Sequence, residues 1–115
     1  MRRSEVFADG LLDGRVVLVT GGGTGLGRAA AAELRRCGAE VVICGRRADV
    51  LAAAADELAL HQVPGDVREP GDAERIVRFA LARCGRLDAL VNNAGGQYFT
   101  PAEAIEPRAG ERSPA

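Results

Sequence analysis

Short runs of consecutive apolar residues recur along the chain, and alanine-rich segments of about a dozen residues separate them. A continuous apolar run of this length is typical of a strand that is buried on both faces, as in a parallel sheet. The third run is weak and is cut short by Pro64 and Gly65. We therefore predict four strands, at Val16–Val19, Val41–Cys44, Leu60–Val63 and Leu87–Val91.

The segments between these runs carry the signals of helices. Gly38 and Gly85 follow the first and third segments, where glycine commonly ends a helix, and a proline opens the third. Asp49 lies in the first turn of the second segment, where we expect it to cap the helix. The predicted helices are Leu26–Cys37, Ala48–Leu60 and Pro70–Cys84.

Strands that alternate with helices of this length predict an α/β fold. Because crossovers between parallel strands are right-handed, the helices must cover both faces of the sheet. The expected architecture is a partial Rossmann fold, with a parallel sheet of about four strands in the order 3-2-1-4. Residues 14–105 would form this half-domain, after an N-terminal extension at 1–13 and before an irregular tail at 106–115 that contains two prolines.

Composition narrows the possible classes of protein. The 115 residues make one domain at most, and 47% hydrophobic residues with a net charge of −1 describe a soluble globular protein. The nearly neutral net charge does not favour nucleic-acid binding. No apolar run is long enough to cross a membrane, so we expect a cytoplasmic location. The three cysteines and one histidine lack metal-site spacing and predict free thiols.

Five glycines crowd the seven residues that follow the first strand, between Gly21 and Gly27. Each would cost a helix interior about 1 kcal/mol, so the backbone must do something here that only glycine allows. Thr20, Gly21, Gly25 and Gly27 form the pattern TGxxxGxG. Such a loop lets the main chain approach a pyrophosphate at the N-terminus of the next helix. The alternative is a tight strand-to-helix turn with no ligand.

Three further motifs follow the glycine loop in order. They are an arginine pair at Arg46–Arg47, GDV at Gly65–Val67 and NNAG at Asn92–Gly95. Together with TGxxxGxG they make residues 14–105 resemble the short-chain dehydrogenase/reductase (SDR) superfamily. The string NNAGGQYFTPAEAI is most similar to the branch that contains the 2-enoyl-CoA reductases.

The resemblance implies a nicotinamide dinucleotide as the cofactor and assigns further residues to its site. Thr24 and Leu26 would add hydroxyl and backbone contacts to the phosphates. Asp66 would contact the adenine ring with the help of the Val67 amide, although an aspartate after Gly65 also suits a simple turn. Asn92 and Asn93 would brace the sheet and line the cofactor, or merely make a turn. Ala94 and Gly95 would leave space for the adenosine and ribose.

The end of the second strand bears on the choice between the two nicotinamide dinucleotides. NAD-binding domains place a carboxylate about 20 residues beyond the glycines, where it binds the ribose 2′-OH. Here Gly45 stands at that position and Arg46 follows it. A guanidinium can grip a 2′-phosphate with a planar fork of donors, so we predict NADP(H) in preference to NAD(H), with Arg46 primary and Arg47 secondary. The alternative is that both arginines are solvated surface charges.

The catalytic residues that the resemblance implies are absent from this chain. The family uses a tyrosine with a lysine four residues further on, since a nearby cation must lower the pKa of the phenol. The chain has one tyrosine, Tyr98, with Ala102 four residues later, and it contains no lysine. We therefore assign no catalytic residue and expect the chain to supply only the cofactor-binding half of a hydride-transfer enzyme.

Loss of the family pattern after Ile105 favours a truncated or frameshifted reading frame over a deliberately short protein. The fourth strand would then be an edge of the sheet, and we expect it to allow self-association. The alternatives are a non-catalytic module that binds a nucleotide or a partner, and a truncated product without function.

Overall fold

The computed structural model describes residues 3–93. Seven elements alternate strictly between strand and helix, as predicted. In chain order they are β1 (Val16–Thr20), α1 (Gly25–Arg36), β2 (Glu40–Gly45), α2 (Ala48–Leu58), β3 (His61–Pro64), α3 (Pro70–Cys84) and β4 (Ala89–Asn92).

All the strand pairs are parallel, and the sheet order is β3-β2-β1-β4. This confirms the predicted α/β class and strand order. Thr20, the last residue of β1, lies opposite Cys44 of β2 and Asn92 of β4. The carboxyl ends of three strands therefore meet at one edge of the sheet, where open α/β sheets bind their ligands.

Each face of the sheet packs against its own helices. Val17 and Val19 of β1 face α1 and α2, in one buried cluster with Ala31 and Leu51. Leu18 points to the opposite face, in a second cluster with Ile76 and Ala80 of α3. Because side chains on both faces of β1 and β2 are buried, these two strands have continuous apolar runs and lack the polar alternation of a half-exposed sheet.

Two of the predicted helices match the structure closely at their ends. α3 spans the predicted residues, with Pro70 in its first turn and Gly85 after it at φ 83°. α1 begins one residue earlier than expected and ends at Arg36, and Gly38 follows at φ 101°. Glycine adopts this left-handed backbone without steric strain, which explains both stops.

The predicted end of α2 was wrong. The helix stops at Leu58 because Ala59 adopts the left-handed conformation, at φ 58°. The N–H groups of Ala59 and Leu60 both donate to the carbonyl of Ala55. The expected cap was also wrong, because Arg47 is the N-cap residue and Asp49 lies in the first turn without a capping hydrogen bond.

Two strands are displaced from their predicted positions. β4 begins at Ala89 because Asp88 closes the end of the sheet: the Val16 N–H donates to Asp88 Oδ2 at 2.8 Å, and the Asp88 N–H donates to the Val16 carbonyl at 2.9 Å. Leu87 packs instead against the α3 cluster. β3 is shifted one residue and includes Pro64 at its end, on an edge strand that tolerates proline.

The division into three segments stays a prediction, and the tail at 106–115 lies outside the described residues. Between residues 3 and 93, no helix is long and apolar enough to cross a membrane. The three cysteines, Cys37, Cys44 and Cys84, are free thiols, as expected.

Candidate functional site

A cleft of about 200 Å³ opens at the carboxyl edge of the sheet and is called the main cleft below. The glycine loop, the end of β2 and the loop after β3 form its walls. A second cleft of about 190 Å³ shares four of its residues and extends to the start of α2. The shared residues are Gly21, Thr24, Gly45 and Arg46.

The first residues of the glycine loop are tied to the neighbouring strand. The Gly21 N–H donates to the Cys44 carbonyl at 2.8 Å, and the Gly22 N–H reaches the same oxygen at 3.4 Å. Gly21 and Gly25 have φ angles of 64° and 56°, in the region that favours glycine. The loop therefore turns sharply at its start and again where α1 begins.

Close packing accounts for two further glycines. A Cβ at Gly27 would lie 2.1 Å from the Gly21 carbonyl oxygen and 2.7 Å from Asn93 Nδ2. A Cβ at Gly22 would lie 2.4 Å from Ile43 Cγ2. Backbone conformation and packing thus explain four of the five glycines, so the number of glycines does not by itself distinguish a phosphate loop from a tight turn.

The N–H groups at the start of α1 are donors of the kind that every helix N-terminus leaves without an intrahelical partner. Within residues 3–93, the N–H groups of residues 23–27 donate no hydrogen bond, and the first to do so is that of Arg28, to the Thr24 carbonyl at 3.2 Å. Thr24 is the N-cap residue, yet its side chain forms no capping bond, and the first turn of α1 carries no acidic residue. Five N–H donors at the positive end of α1 therefore lack a partner within residues 3–93. Of these residues, Thr24 lines both clefts and Gly23 lines the second, whereas Gly25, Leu26 and Gly27 line neither.

The predicted arginines lie where β2 meets α2. Arg46 lines both clefts and Arg47 lines only the second, and both residues are exposed. Neither side chain forms a hydrogen bond or ion pair with the described part of the chain. Arg46 thus offers its guanidinium to the main cleft without a competing partner.

Asp66 forms a turn, which was one of its two interpretations. Its Oδ1 accepts the backbone N–H of Arg68 at 3.0 Å. The Arg68 guanidinium donates from Nε to Oδ1 and from Nη2 to Oδ2, each at 3.0 Å. These hydrogen bonds from Arg68, with smaller contributions from the charges of Arg68 and Arg46, hold the pKa of Asp66 below its usual range.

The GDV motif nevertheless reaches the main cleft, because Gly65, Asp66 and Val67 all line it. The contact of Asp66 with an adenine ring stays a prediction. Arg68 lines the same cleft and was not singled out from the sequence. An arginine two residues after an aspartate in a predicted turn was the only signal that could have identified it.

Thr20 and Asn92 are joined by a hydrogen bond, and neither residue lines the main cleft or the second cleft. Thr20 is 2% exposed, and its hydroxyl donates to Asn92 Oδ1 at 3.0 Å while it accepts the Asn93 N–H at 2.8 Å. This pair fastens the end of β1 to the end of β4, which fits the expected bracing role of Asn92. Asn93, the other asparagine named from this motif, lines the main cleft.

The predicted binding residues differ in where they lie. Leu26 is 74% exposed and lines neither cleft, and Gly25 and Gly27 also line neither cleft. Ala94 and Gly95 lie outside the described residues. The structure brings six predicted residues together around the clefts: Gly21, Thr24, Arg46, Arg47, Asp66 and Val67.

No group in the main cleft is suited to nucleophilic chemistry. Cys44 lines it, but the residue is 1% exposed and burial raises the pKa of its thiol to about 11. The thiol therefore stays neutral at physiological pH. Residues 3–93 hold no tyrosine or lysine, and no group of three metal-ligating side chains is found among them.

Comparisons with known proteins agree with this description. Residues 15–113 match the family profile described as short chain dehydrogenase. The chain is 37% identical over 106 residues to a peroxisomal 2,4-dienoyl-CoA reductase of Arabidopsis thaliana, which fits the predicted branch. That match covers 88% of this chain and 36% of the relative.

Solved structures share the fold. A 3-ketoacyl-(acyl-carrier-protein) reductase of Brucella melitensis, complexed with NADH, is 37% identical with a TM-score of 0.72, over 89% of this chain and 43% of that one. A blue fluorescent protein from a metagenomic library, in complex with NADPH, is 30% identical with the same TM-score, over 90% of this chain and 45% of that one. The chain thus spans less than half the length of each of these proteins.

Proposed function

This chain belongs to the short chain dehydrogenase family, and from that premise we propose that it is the cofactor-binding half of an NADP(H)-dependent oxidoreductase. The proposal is supported by five N–H groups at the start of α1 that donate no hydrogen bond within residues 3–93, and by Arg46, which lines the main cleft together with Thr24 and has no side-chain partner among those residues. The relatives support a nicotinamide dinucleotide as the ligand, since one is complexed with NADH and another with NADPH.

The pyrophosphate would lie against the glycine loop. Its two negative charges suit the N-terminus of α1, where the N–H donors of residues 23–27 and the positive end of the helix dipole coincide. Thr24 lines both clefts and is free to add its hydroxyl, because it forms no capping bond.

The adenosine end of the cofactor would extend past β2 toward Arg46. Gly45 offers no carboxylate to bind a ribose 2′-OH, and it presents no charge that would repel a 2′-phosphate. Arg46 would bind that phosphate through its planar fork of donors, and Arg47 would assist from the second cleft. The preference for NADP(H) over NAD(H) rests on this pair.

When bound, the nicotinamide would supply hydride transfer to or from a carbonyl or enoyl group. The residues described here would bind and orient the adenosine and phosphates, and none of them would move a proton. The sequence similarity to a 2,4-dienoyl-CoA reductase favours an acyl-CoA substrate with a conjugated double bond. A cytoplasmic location stays a prediction, and the Arabidopsis relative is named as peroxisomal.

A second candidate function is that of a partner-binding module, favoured by the open side of β4. Among the described strands β4 pairs only with β1, and Leu90 on it is 49% exposed. Val77 and Leu81 of α3 are also exposed apolar residues. Unpaired backbone groups beside apolar side chains favour pairing with another chain, including a second copy of this one.

One sample of the purified protein tests both candidates. We expect NADPH fluorescence to show saturable 1:1 binding that is tighter than the binding of NADH. Light scattering across protein concentrations reports on self-association in the same solution. Concentration-dependent assembly without NADPH binding would favour the partner-binding module, and a cooperatively folded monomer that binds neither dinucleotide would contradict both proposals. An unfolded chain would contradict both proposals.

A further inference from the structure

The main cleft contains a carboxylate as well as the cationic group proposed to bind a phosphate. Asp66 and Arg46 both line it, and the charge of Arg46 acts on the Asp66 carboxyl. A free carboxylate there would oppose a 2′-phosphate by direct repulsion. It would also attract Arg46, which has no other ion-pair partner in the described part of the chain.

Arg68 removes this conflict through its geometry. Its guanidinium meets both oxygens of Asp66 in a two-pronged contact, with each N–O distance at 3.0 Å, and its own backbone N–H adds a third bond. The two side chains are 32% and 19% exposed, so the pair lies partly shielded from water at the wall of the cleft. A paired guanidinium and carboxylate carry no net charge, whereas Arg46 keeps its full positive charge.

We propose that Arg68 is a specificity-determining residue, which neutralises Asp66 and thereby keeps Arg46 available for the 2′-phosphate of the dinucleotide. The proposal rests on the function proposed above and adds a residue that acts through Asp66 without touching the phosphate. The two arginines thus have different roles. Arg68 pairs with Asp66 within the protein, and Arg46 binds the 2′-phosphate of the ligand.

Two small ligands that differ only by the 2′-phosphate isolate the effect of Arg68 on the binding of that phosphate. They are adenosine 2′,5′-bisphosphate and adenosine 5′-monophosphate, and calorimetry gives a dissociation constant for each. The readout is the ratio of the two constants. We expect the Arg68→Ala variant to weaken the bisphosphate about tenfold more than the monophosphate, as expected for one uncompensated charge at close range under partial solvent screening.

A double variant distinguishes an effect of the Asp66 charge from an effect on the structure of the turn. In the Asp66→Asn/Arg68→Ala protein the carboxylate is gone, so the ratio should return to within about twofold of the wild-type value. Arg68→Lys keeps the charge and should change the ratio by less than about threefold. Arg78→Ala is the matched control, because Arg78 pairs with Glu74 on the exposed side of α3 and should leave the ratio unchanged.

Three results would overturn the inference. Equal weakening of both ligands by Arg68→Ala would mean that Arg68 only supports the turn. Failure of the double variant to recover would mean that the charge of Asp66 is not the cause. A folded wild-type protein that binds neither ligand would contradict the proposed function as well as the role of Arg68. If the wild-type protein prefers the bisphosphate and Arg68→Ala leaves the ratio of the two dissociation constants unchanged, only the role of Arg68 is contradicted. Circular dichroism confirms that each variant is folded.

Discussion

Replacement of Gly27 by alanine is expected to abolish binding of NADPH and to lower the free energy of unfolding by about 3 kcal/mol. The added methyl group would lie 2.1 Å from the Gly21 carbonyl oxygen and 2.7 Å from Asn93 Nδ2. The first of these atoms belongs to the backbone and cannot move aside by a rotamer change. Either α1 must withdraw from the sheet or the glycine loop must unfold, and both displace the N–H donors.

Gly71 provides the matched control for this substitution. It lies in the first turn of α3, and apart from its chain neighbours and the nearby backbone of the helix itself, no described atom lies within 4 Å of the position that its Cβ would occupy. The Gly71→Ala variant should therefore bind NADPH normally and gain about 0.5 kcal/mol in the free energy of unfolding, since alanine is the better helix former. Thermal unfolding and NADPH titration of both variants check the pair. Gly27→Ala protein that unfolds at the wild-type temperature would contradict the observed packing.

Reversal of the charge at Arg46 is expected to reverse the preference between the two dinucleotides. In the Arg46→Glu variant a carboxylate would stand at the end of β2, where it repels a 2′-phosphate and can accept a hydrogen bond from a ribose 2′-OH. We expect the ratio of the NADPH and NADH dissociation constants to change by about 100-fold, through the loss of a charge-assisted contact and the gain of a repulsive one. Fluorescence titration with each dinucleotide measures this ratio.

Arg47 is the internal comparison for Arg46. It lines only the second cleft and is the N-cap residue of α2, where a carboxylate is well tolerated. The Arg47→Glu variant should change the same ratio by less than about fivefold, because Arg47 lies farther from the main cleft. Unchanged NADPH binding by Arg46→Glu would support the alternative interpretation, in which both arginines are solvated surface charges.

The order of elements was predictable because the signals for it are local. The continuous runs of β1 and β2 reflect burial on both faces, and proline and glycine at the ends of α3 act through their own backbone preferences. The end of α2 was not predictable, because Ala59 takes up a conformation that alanine rarely adopts. The start of β4 depends on the pairing of Asp88 with Val16, which are 72 residues apart in the sequence.

The position of the candidate site was predictable from the sequence, but the contacts within it were not. The glycine pattern located the loop, yet the density of glycine has its explanation in packing against Gly21, Ile43 and Asn93. Within the described residues, the N–H groups of residues 23–27 have no hydrogen-bond partner, which favours a ligand. Only the folded structure shows that no side chain caps them. The burial of Thr20 and the pairing of Arg68 with Asp66 likewise depend on the folded loops.

We propose that the N–H groups at the start of α1 bind the linked phosphates of a dinucleotide. The most direct test follows the backbone amide signals of ¹⁵N-labelled protein during a titration with ADP, whose two phosphates reproduce that part of the cofactor. We predict that the signals of Gly25, Leu26 and Gly27 move most and saturate together. Saturable binding that leaves these three signals in place while others move, or no binding by folded protein, would contradict the claim.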